Sequence, residues 1–293
     1  MYRDFSTFLK EHFPGKVQKI SINAGFSCPN RDGTIGTGGC TYCNNQTFNP
    51  GYCKPDKSVT EQLEEGKKFF GRKYPDMQYL AYFQAYTSTH GELERLKQLY
   101  EEALSVENVV GIIIGTRPDC TGDELLDYLA GLNERAFVLI EYGAESSHNE
   151  TLKLINRCHT WEQTVDAVER ATRRGLLTGL HLIMGLPGES REMMLATVDA
   201  VSKLPVATVK FHQLQLVRGT VMAHDVISGK YDIPRFSVDE YISLCVEIIR
   251  RINPEIAIER FTSQSPDELL IYPKWGLKNH EFVNRLRNAL NSF

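Results

Sequence analysis

Three cysteines, Cys28, Cys40 and Cys43, stand in a stretch that reads NAGFSCPNRDGTIGTGGCTYCNNQTF from Asn23 to Phe48. Thiolates are soft ligands that suit zinc and iron–sulfur clusters. Two would suit a disulfide or redox pair and four would close a tetrahedral zinc site, whereas three leave a position open. Cys53 follows Cys43 after nine intervening residues, so spacing alone allows four-thiolate zinc as readily as iron–sulfur. A four-iron cluster held by Cys28, Cys40 and Cys43 keeps one iron free for an outside ligand, which is what passing an electron into a bound cofactor requires. Gly33, Gly36, Gly38 and Gly39 stand between the ligands, where small residues let the backbone wrap a bulky group. No Gly-Lys-Ser/Thr follows, so this is not a phosphate loop.

Such a loop needs a scaffold. Short β-type runs at 17–22, 79–83, 109–114, 137–142, 177–184 and 207–214 alternate with helical periods at 92–104, 122–132, 161–175 and 191–204. The alternation predicts parallel strands joined by right-handed crossovers, and six units make an open arc, a partial (β/α)6 barrel of the α/β class. The cysteine loop follows the first strand, at the strand C-terminal ends where these folds hold their chemistry, which favours a cluster over a structural zinc knuckle. After VRGT (217–220) the pattern changes to a helix over 238–252, an apolar run over 256–260 and the tail PKWGLKNHEFVNRLRNAL. Residues 1–220 are therefore expected as the core with its N-terminal segment, and 221–293 as a mostly helical extension packed on it.

The 293 residues are 42% hydrophobic, enough for one large core with an appendage. With 33 Lys and Arg against 37 Asp and Glu, the net charge of −4 gives no overall field toward nucleic acid or an anionic membrane. A polyanion would have to meet local patches: PGKVQK (14–19), Arg31, RRG (173–175), and in the tail Lys274, Lys278, Arg285 and Arg287 with Trp275 as a stacking ring. Seven cysteines, no apolar leader and no apolar span of membrane length lead to the expectation of a cytoplasmic chain with reduced thiols and no membrane partner.

The cysteine loop, the β/α arc and LIMGLPGE (182–189) together resemble the radical S-adenosylmethionine (SAM) superfamily over roughly residues 17–220. The resemblance is closest to the branch with the Elongator catalytic subunit and oxygen-independent coproporphyrinogen oxidase. It implies a [4Fe-4S] cluster on Cys28, Cys40 and Cys43, SAM as cofactor, a 5′-deoxyadenosyl radical, and an external electron donor of the flavodoxin or ferredoxin type. It further implies Tyr42 against the adenine, Glu145 on the ribose, Arg157 on the methionine carboxylate, and His181 where relatives often place an aspartate that touches the adenosine hydroxyls. The family's Gly-Gly turn after the second strand, which meets the methionine amine, is replaced here by QAYTST (84–89), with Gln84, Tyr86 and Thr87 at the turn.

In EYGAES, Glu141 and Glu145 fall at alternate positions and so face one side of the sheet. A carboxylate pair also suits glycoside hydrolysis, which the cysteine loop argues against. Strand ends offer Arg117 and Asp119 of GTRPD, and Lys210, His212 and Gln213 of KFHQLQ, as substrate contacts. Cys53, Tyr86 or His212 are candidates for a later proton transfer, and no one catalytic residue stands out. The Elongator branch implies tRNA as substrate at its wobble uridine. No acetyltransferase pattern accompanies these residues, so conversion of an existing side chain at carbon 5, for instance carboxymethylaminomethyl to aminomethyl, is expected. Two other readings stand beside it: radical chemistry on a small molecule or peptide, and a non-catalytic, zinc-stabilised RNA-binding module with Cys53 as fourth ligand.

Overall fold

Alternation along the strands sets the architecture of the computed structural model, which describes residues 2–44, 50–70 and 77–291. One parallel sheet contains β1 (Val17–Ile22), β2 (Gln78–Phe83), β3 (Val109–Thr116), β4 (Phe137–Glu145), β5 (Leu177–Met184), β6 (Thr208–Gln213) and β8 (Ala257–Arg260), in that order. Between the last two in sequence lies β7 (Leu216–Val217), which pairs antiparallel with β9 (Leu270–Tyr272) in a separate ribbon. The helices are α1 (Phe5–His12), α2 (Val59–Phe70), α3 (Leu93–Ser105), α4 (Asp123–Asn133), α5 (Asn149–Leu154), α6 (Trp161–Arg173), α7 (Arg191–Val201), α8 (Val221–Ile227), α9 (Val238–Arg251) and α10 (Asn279–Asn291). The six expected strands are present, and β8 extends the sheet beyond them. The apolar run at 256–260 forms this strand, but its place in the main sheet was not legible because it is four residues long and ends in two charges, Glu259 and Arg260.

The outward residues Ile20, Ile112, Ile140, Leu180 and Phe211 join Leu63, Leu99, Leu126, Val168, Val198 and Ile248 of the covering helices in one core. Full burial of each such side chain contributes about 1.5–3 kcal/mol relative to exposure. The intervening residues point into the arc, and there the polar pattern takes over. Lys19 of β1 reaches Glu259 of β8 at 2.5 Å and Glu141 of β4 at 3.1 Å. Lys210 of β6 reaches Glu141 at 2.8 Å and Glu259 at 3.2 Å. Side chains of the first and last strands meet, so the sheet is curled into a half-barrel. The seam is covered by the N-terminal segment, where the Ile258 amide donates to the Arg3 carbonyl at 2.8 Å. Asp4 caps α1 by accepting from the Thr7 amide at 2.8 Å, and Phe5, Leu9 and Phe13 close the barrel's N-terminal end on Leu80, Ile113 and Leu139.

This placement corrects several basic candidates. Lys19 is inside the lumen rather than on a phosphate-binding surface. The segments 14–19 and 173–175 lead into β1 and β5, so they lie at the N-terminal end of the barrel, and Arg174 is paired with Asp123 at 3.1 Å and Asp127 at 2.5 Å. Trp275 is no free stacking ring: its Nε1 donates to the Phe236 carbonyl at 3.0 Å and its ring stacks on Phe282 with centroids 6.1 Å apart. Among the described residues no helix is long and apolar enough to cross a membrane.

Burial opposes ionisation of Glu141, but Lys19, Lys210 and the His181 hydrogen bond outweigh it and hold its carboxyl well below the usual range. Its contribution to stability is thus present above the ordinary glutamate range and lost as pH falls through the depressed folded-state value. Glu141→Gln should destabilise the fold by about 3–5 kcal/mol in urea unfolding at neutral pH, because it removes one of the two carboxylates that balance the buried Lys210 and the partly buried Lys19. An unchanged midpoint would show that the lumen pairs contribute nothing.

Candidate active site

The strand C-terminal ends surround one cavity. Cys28, Cys40, Cys43 and Tyr42 line it from the loop after β1, Gln84, Tyr86 and Thr87 from the turn after β2, and Arg117 from the end of β3. Glu145, Arg157, His181, His212 and Gln213 complete the set of expected residues on its walls. Asp119 and Lys210 do not reach it. Asp119 stands behind Arg117 and accepts both Nε and Nη2 at 2.9 and 2.8 Å, while Lys210 lies below, bonded to the Tyr82 hydroxyl at 3.1 Å and to the lumen carboxylates.

The cysteine loop is held by amides that sequence reasoning missed. The buried Asn30 donates Nδ2 to the Asn156 carbonyl at 2.6 Å, and Asn156 returns a bond from its own Nδ2 to the Gly39 carbonyl at 2.9 Å. Gly39 has φ +76° and a Cβ there would come 2.7 Å from Arg31 Nε, so the arginine can cross the loop only over glycine. Arg31 uses that passage to donate Nη2 to the Cys43 carbonyl at 3.0 Å. Two backbone bonds clasp the loop from outside: Thr41 N to Ile155 O at 3.0 Å and Met222 N to Thr41 O at 2.8 Å.

Arg157 is buried between two residues of left-handed backbone, Asn156 (φ 54°) and Cys158 (φ 59°), a conformation rare outside glycine and asparagine. Its Nη2 donates to the Gly143 carbonyl at 2.5 Å and lies 3.5 Å from Glu145 Oε1, while Nη1 approaches Cys40 Sγ at 3.5 Å. Glu145 is also left-handed (φ 67°), where the register of β4 on β5 shifts. Burial pushes the Glu145 carboxyl up from its ordinary value, and Arg157 and the Tyr42 hydrogen bond only partly offset it. His181 places Nε2 2.8 Å from Glu141 Oε2, and burial, then Lys210, push it down to about 4. It is thus a neutral imidazole donating from Nε2, which leaves Nδ1 an acceptor.

Cys53 is not on the cavity wall. It is buried near Asn23, and burial pushes its thiol up to about 12. Cys28, Cys40 and Cys43 line the cavity together, and Cys53 does not join them there as a fourth thiol.

Residues 30–201 match the family model of the Radical SAM superfamily, and residues 206–292 match that of the Radical SAM C-terminal domain. The chain belongs to the radical SAM superfamily. YtqA of Bacillus subtilis is 38% identical over 291 residues, covering 99% of this chain and 90% of the relative. A tRNA uridine(34) acetyltransferase of Methanocaldococcus infernus is 33% identical over 105 residues, 34% of this chain and 19% of that protein. The fold is similar to the solved Elp3 of Methanocaldococcus infernus with TM-score 0.68 at 18% identity, over 95% of this chain and 63% of that one.

The residues present fit the cofactors of this superfamily. Three thiols share one wall, and on the same cavity Arg157 Nε, Arg117 Nη1 and Thr87 Oγ1 are buried without a partner. Buried polar atoms are normally satisfied, so a ligand with its own polar groups completes them. Cys28, Cys40 and Cys43 would hold the cluster, Arg157 Nε and Thr87 Oγ1 would meet SAM, and Arg117 Nη1 would be left for the substrate. At Gly143 an added Cβ would lie 2.5 Å from Arg157 Nη2 and 2.8 Å from Glu145 Oε1. Gly143→Ala should therefore push this pair apart and weaken SAM binding by about tenfold or more, the cost of a charge-assisted hydrogen bond. Calorimetric titration of the cluster-loaded variant checks this, and parental affinity would show that the pair does not contact SAM.

Proposed function

We propose that this radical SAM enzyme remodels the carbon-5 side chain of a tRNA wobble uridine, converting carboxymethylaminomethyl to aminomethyl. The observation that carries the reading is the division of one cavity into two walls. The cysteine loop and the ends of β2, β3 and β4 form one, and the ends of β6 and β8, with His212, Gln213, Gln215, Arg260 and Ser263, form another, which leaves polar surface for a substrate. The relative named for tRNA uridine at position 34 supports the class of substrate. When bound, the cluster and SAM supply a 5′-deoxyadenosyl radical.

The protein's own groups position the reactants. Tyr42 lies against the adenine, Glu145 takes the ribose, Arg157 the methionine carboxylate, and the turn of Gln84, Tyr86 and Thr87 the amine. His181 offers its bare Nδ1 to the adenosine hydroxyls. Arg117, fixed by Asp119, and the pair His212 and Gln213 face the substrate. Residues 1–220 carry the cluster and SAM contacts, and residues 221–293 form the extension, which adds Arg260 and Ser263 to the substrate wall and whose exposed Lys274, Lys278, Arg285 and Arg287 attract tRNA phosphates. The protein works in the cytoplasm and draws electrons from a flavodoxin or ferredoxin.

Comparison of modified nucleosides in tRNA from cells with and without this protein tests the reading. Carboxymethylaminomethyluridine should accumulate in the deletion, and a copy carrying Cys28→Ala, Cys40→Ala or Cys43→Ala should not restore the aminomethyl product. Identical nucleoside profiles would sink the tRNA assignment and leave a small molecule or peptide as substrate.

A further inference from the structure

Among the described residues, two cations on the cavity wall make no ion pair: Arg31, which donates to the Cys43 carbonyl, and Arg260. Lys19 and Lys210 are balanced by Glu141 and Glu259, Arg117 by Asp119, and Arg157 stands beside Glu145. Arg260, at the end of β8 on the cavity wall, makes no ion pair among the described residues. Its Nη2 lies 3.3 and 3.4 Å from the two ring nitrogens of His212, and its Nε is buried with no hydrogen-bond partner. His212 in turn holds Nδ1 against the Ser263 hydroxyl. Burial, then Arg260 itself, push His212 well below its ordinary value, so its neutral ring supplies no balancing charge. A guanidinium in a concave, partly desolvated wall is costly without an anion, and its planar fork matches a carboxylate or phosphate.

We infer that Arg260, oriented by His212 and Ser263, binds an anionic group of the substrate, and that this group is the carboxylate of the uridine side chain. This rests on the proposed function above, in which that carboxylate is the feature the product lacks. The position agrees: Arg260 lines the same cavity as Cys28, Cys40 and Cys43, together with His212, Gln213 and Ser263. An anion on Arg260 would therefore be held inside the cavity that the cysteine loop also lines. An RNA backbone phosphate offers the same recognition chemistry, and the test separates the two.

The experiment measures anaerobic binding of two tRNAs to cluster-loaded protein with SAM, one carrying carboxymethylaminomethyluridine and the other aminomethyluridine. Arg260→Gln should weaken the first by about tenfold or more, the scale of a lost charge-assisted hydrogen bond, and leave the second unchanged. Arg260→Lys, which keeps the charge but not the fork, should recover part of the loss. Cluster absorption and the thermal unfolding midpoint establish that each variant is folded, and Arg260→Lys alone suffices if the glutamine variant is not. Equal weakening of both tRNAs would assign Arg260 to a phosphate and overturn the carboxylate. Unaltered binding of the first tRNA by either folded variant would overturn the site altogether. If the parent protein itself binds neither tRNA, the proposed function falls first, an outcome visible without any variant.

Discussion

Glu141 is almost wholly enclosed in the lumen of the half-barrel, and its charge ties together strands from across the sheet. Lys19 arrives from β1, His181 from β5 and Lys210 from β6, while Glu259 of β8 bridges the same two lysines. A buried carboxylate on its own would cost several kcal/mol, so each partner depends on the others being in place. The network fixes the curl of the sheet, since β1 and β8 share no ladder hydrogen bonds and meet through Lys19 and Glu259. It also forms the floor on which His181, Arg260 and the substrate wall stand. Apolar packing alone would close the lower end, as the phenylalanines of the N-terminal segment do, but it would leave no polar surface above.

Above that floor, the cofactor wall is built from backbone that is locally unfavourable. Tyr86, Glu145, Asn156 and Cys158 all have positive φ, and none is glycine. Single left-handed residues cost of order 1–3 kcal/mol each and persist where the surroundings over-determine them. Here the surroundings are specific: Glu145 sits at the register shift of β4 on β5, and Asn156 is locked by the carbonyl of Gly39 and the amide of Asn30. The consequence is that Glu145 and Arg157, far apart along two different segments, approach within 3.5 Å beside Cys40.

The first six parallel strands, the cysteine loop and the shared face of Glu141 and Glu145 on β4 were legible in the sequence because each rests on a short local pattern. Short apolar runs in VQKISI, FVLIEY and LTGLHLIM placed β1, β4 and β5, and alternate spacing in EYGAES put Glu141 and Glu145 on one face. Long-range partners were not legible. Lys19 read as a surface charge because nothing near it announces Glu141 or Glu259, and Trp275 read as exposed because Phe236 and Phe282 come from other elements. Lys210 and His212 alternate on one strand and look equivalent, yet the lower one is consumed by the lumen network and only the upper one reaches the cavity. Arg260 went unread because four residues give too little alternation to place the run in the main sheet.

The cysteine loop and the ends of β6 and β8 line a single cavity, and the proposed function requires a hydrogen atom to pass across it from substrate to cofactor. A tRNA deuterated at the methylene carbons of its carboxymethylaminomethyluridine side chain tests this most directly, by mass spectrometry of the 5′-deoxyadenosine released under a low-potential reductant. One deuterium in the deoxyadenosine is expected, with release that accelerates when tRNA is added. Deoxyadenosine free of deuterium, formed at the same rate with and without tRNA, would contradict it.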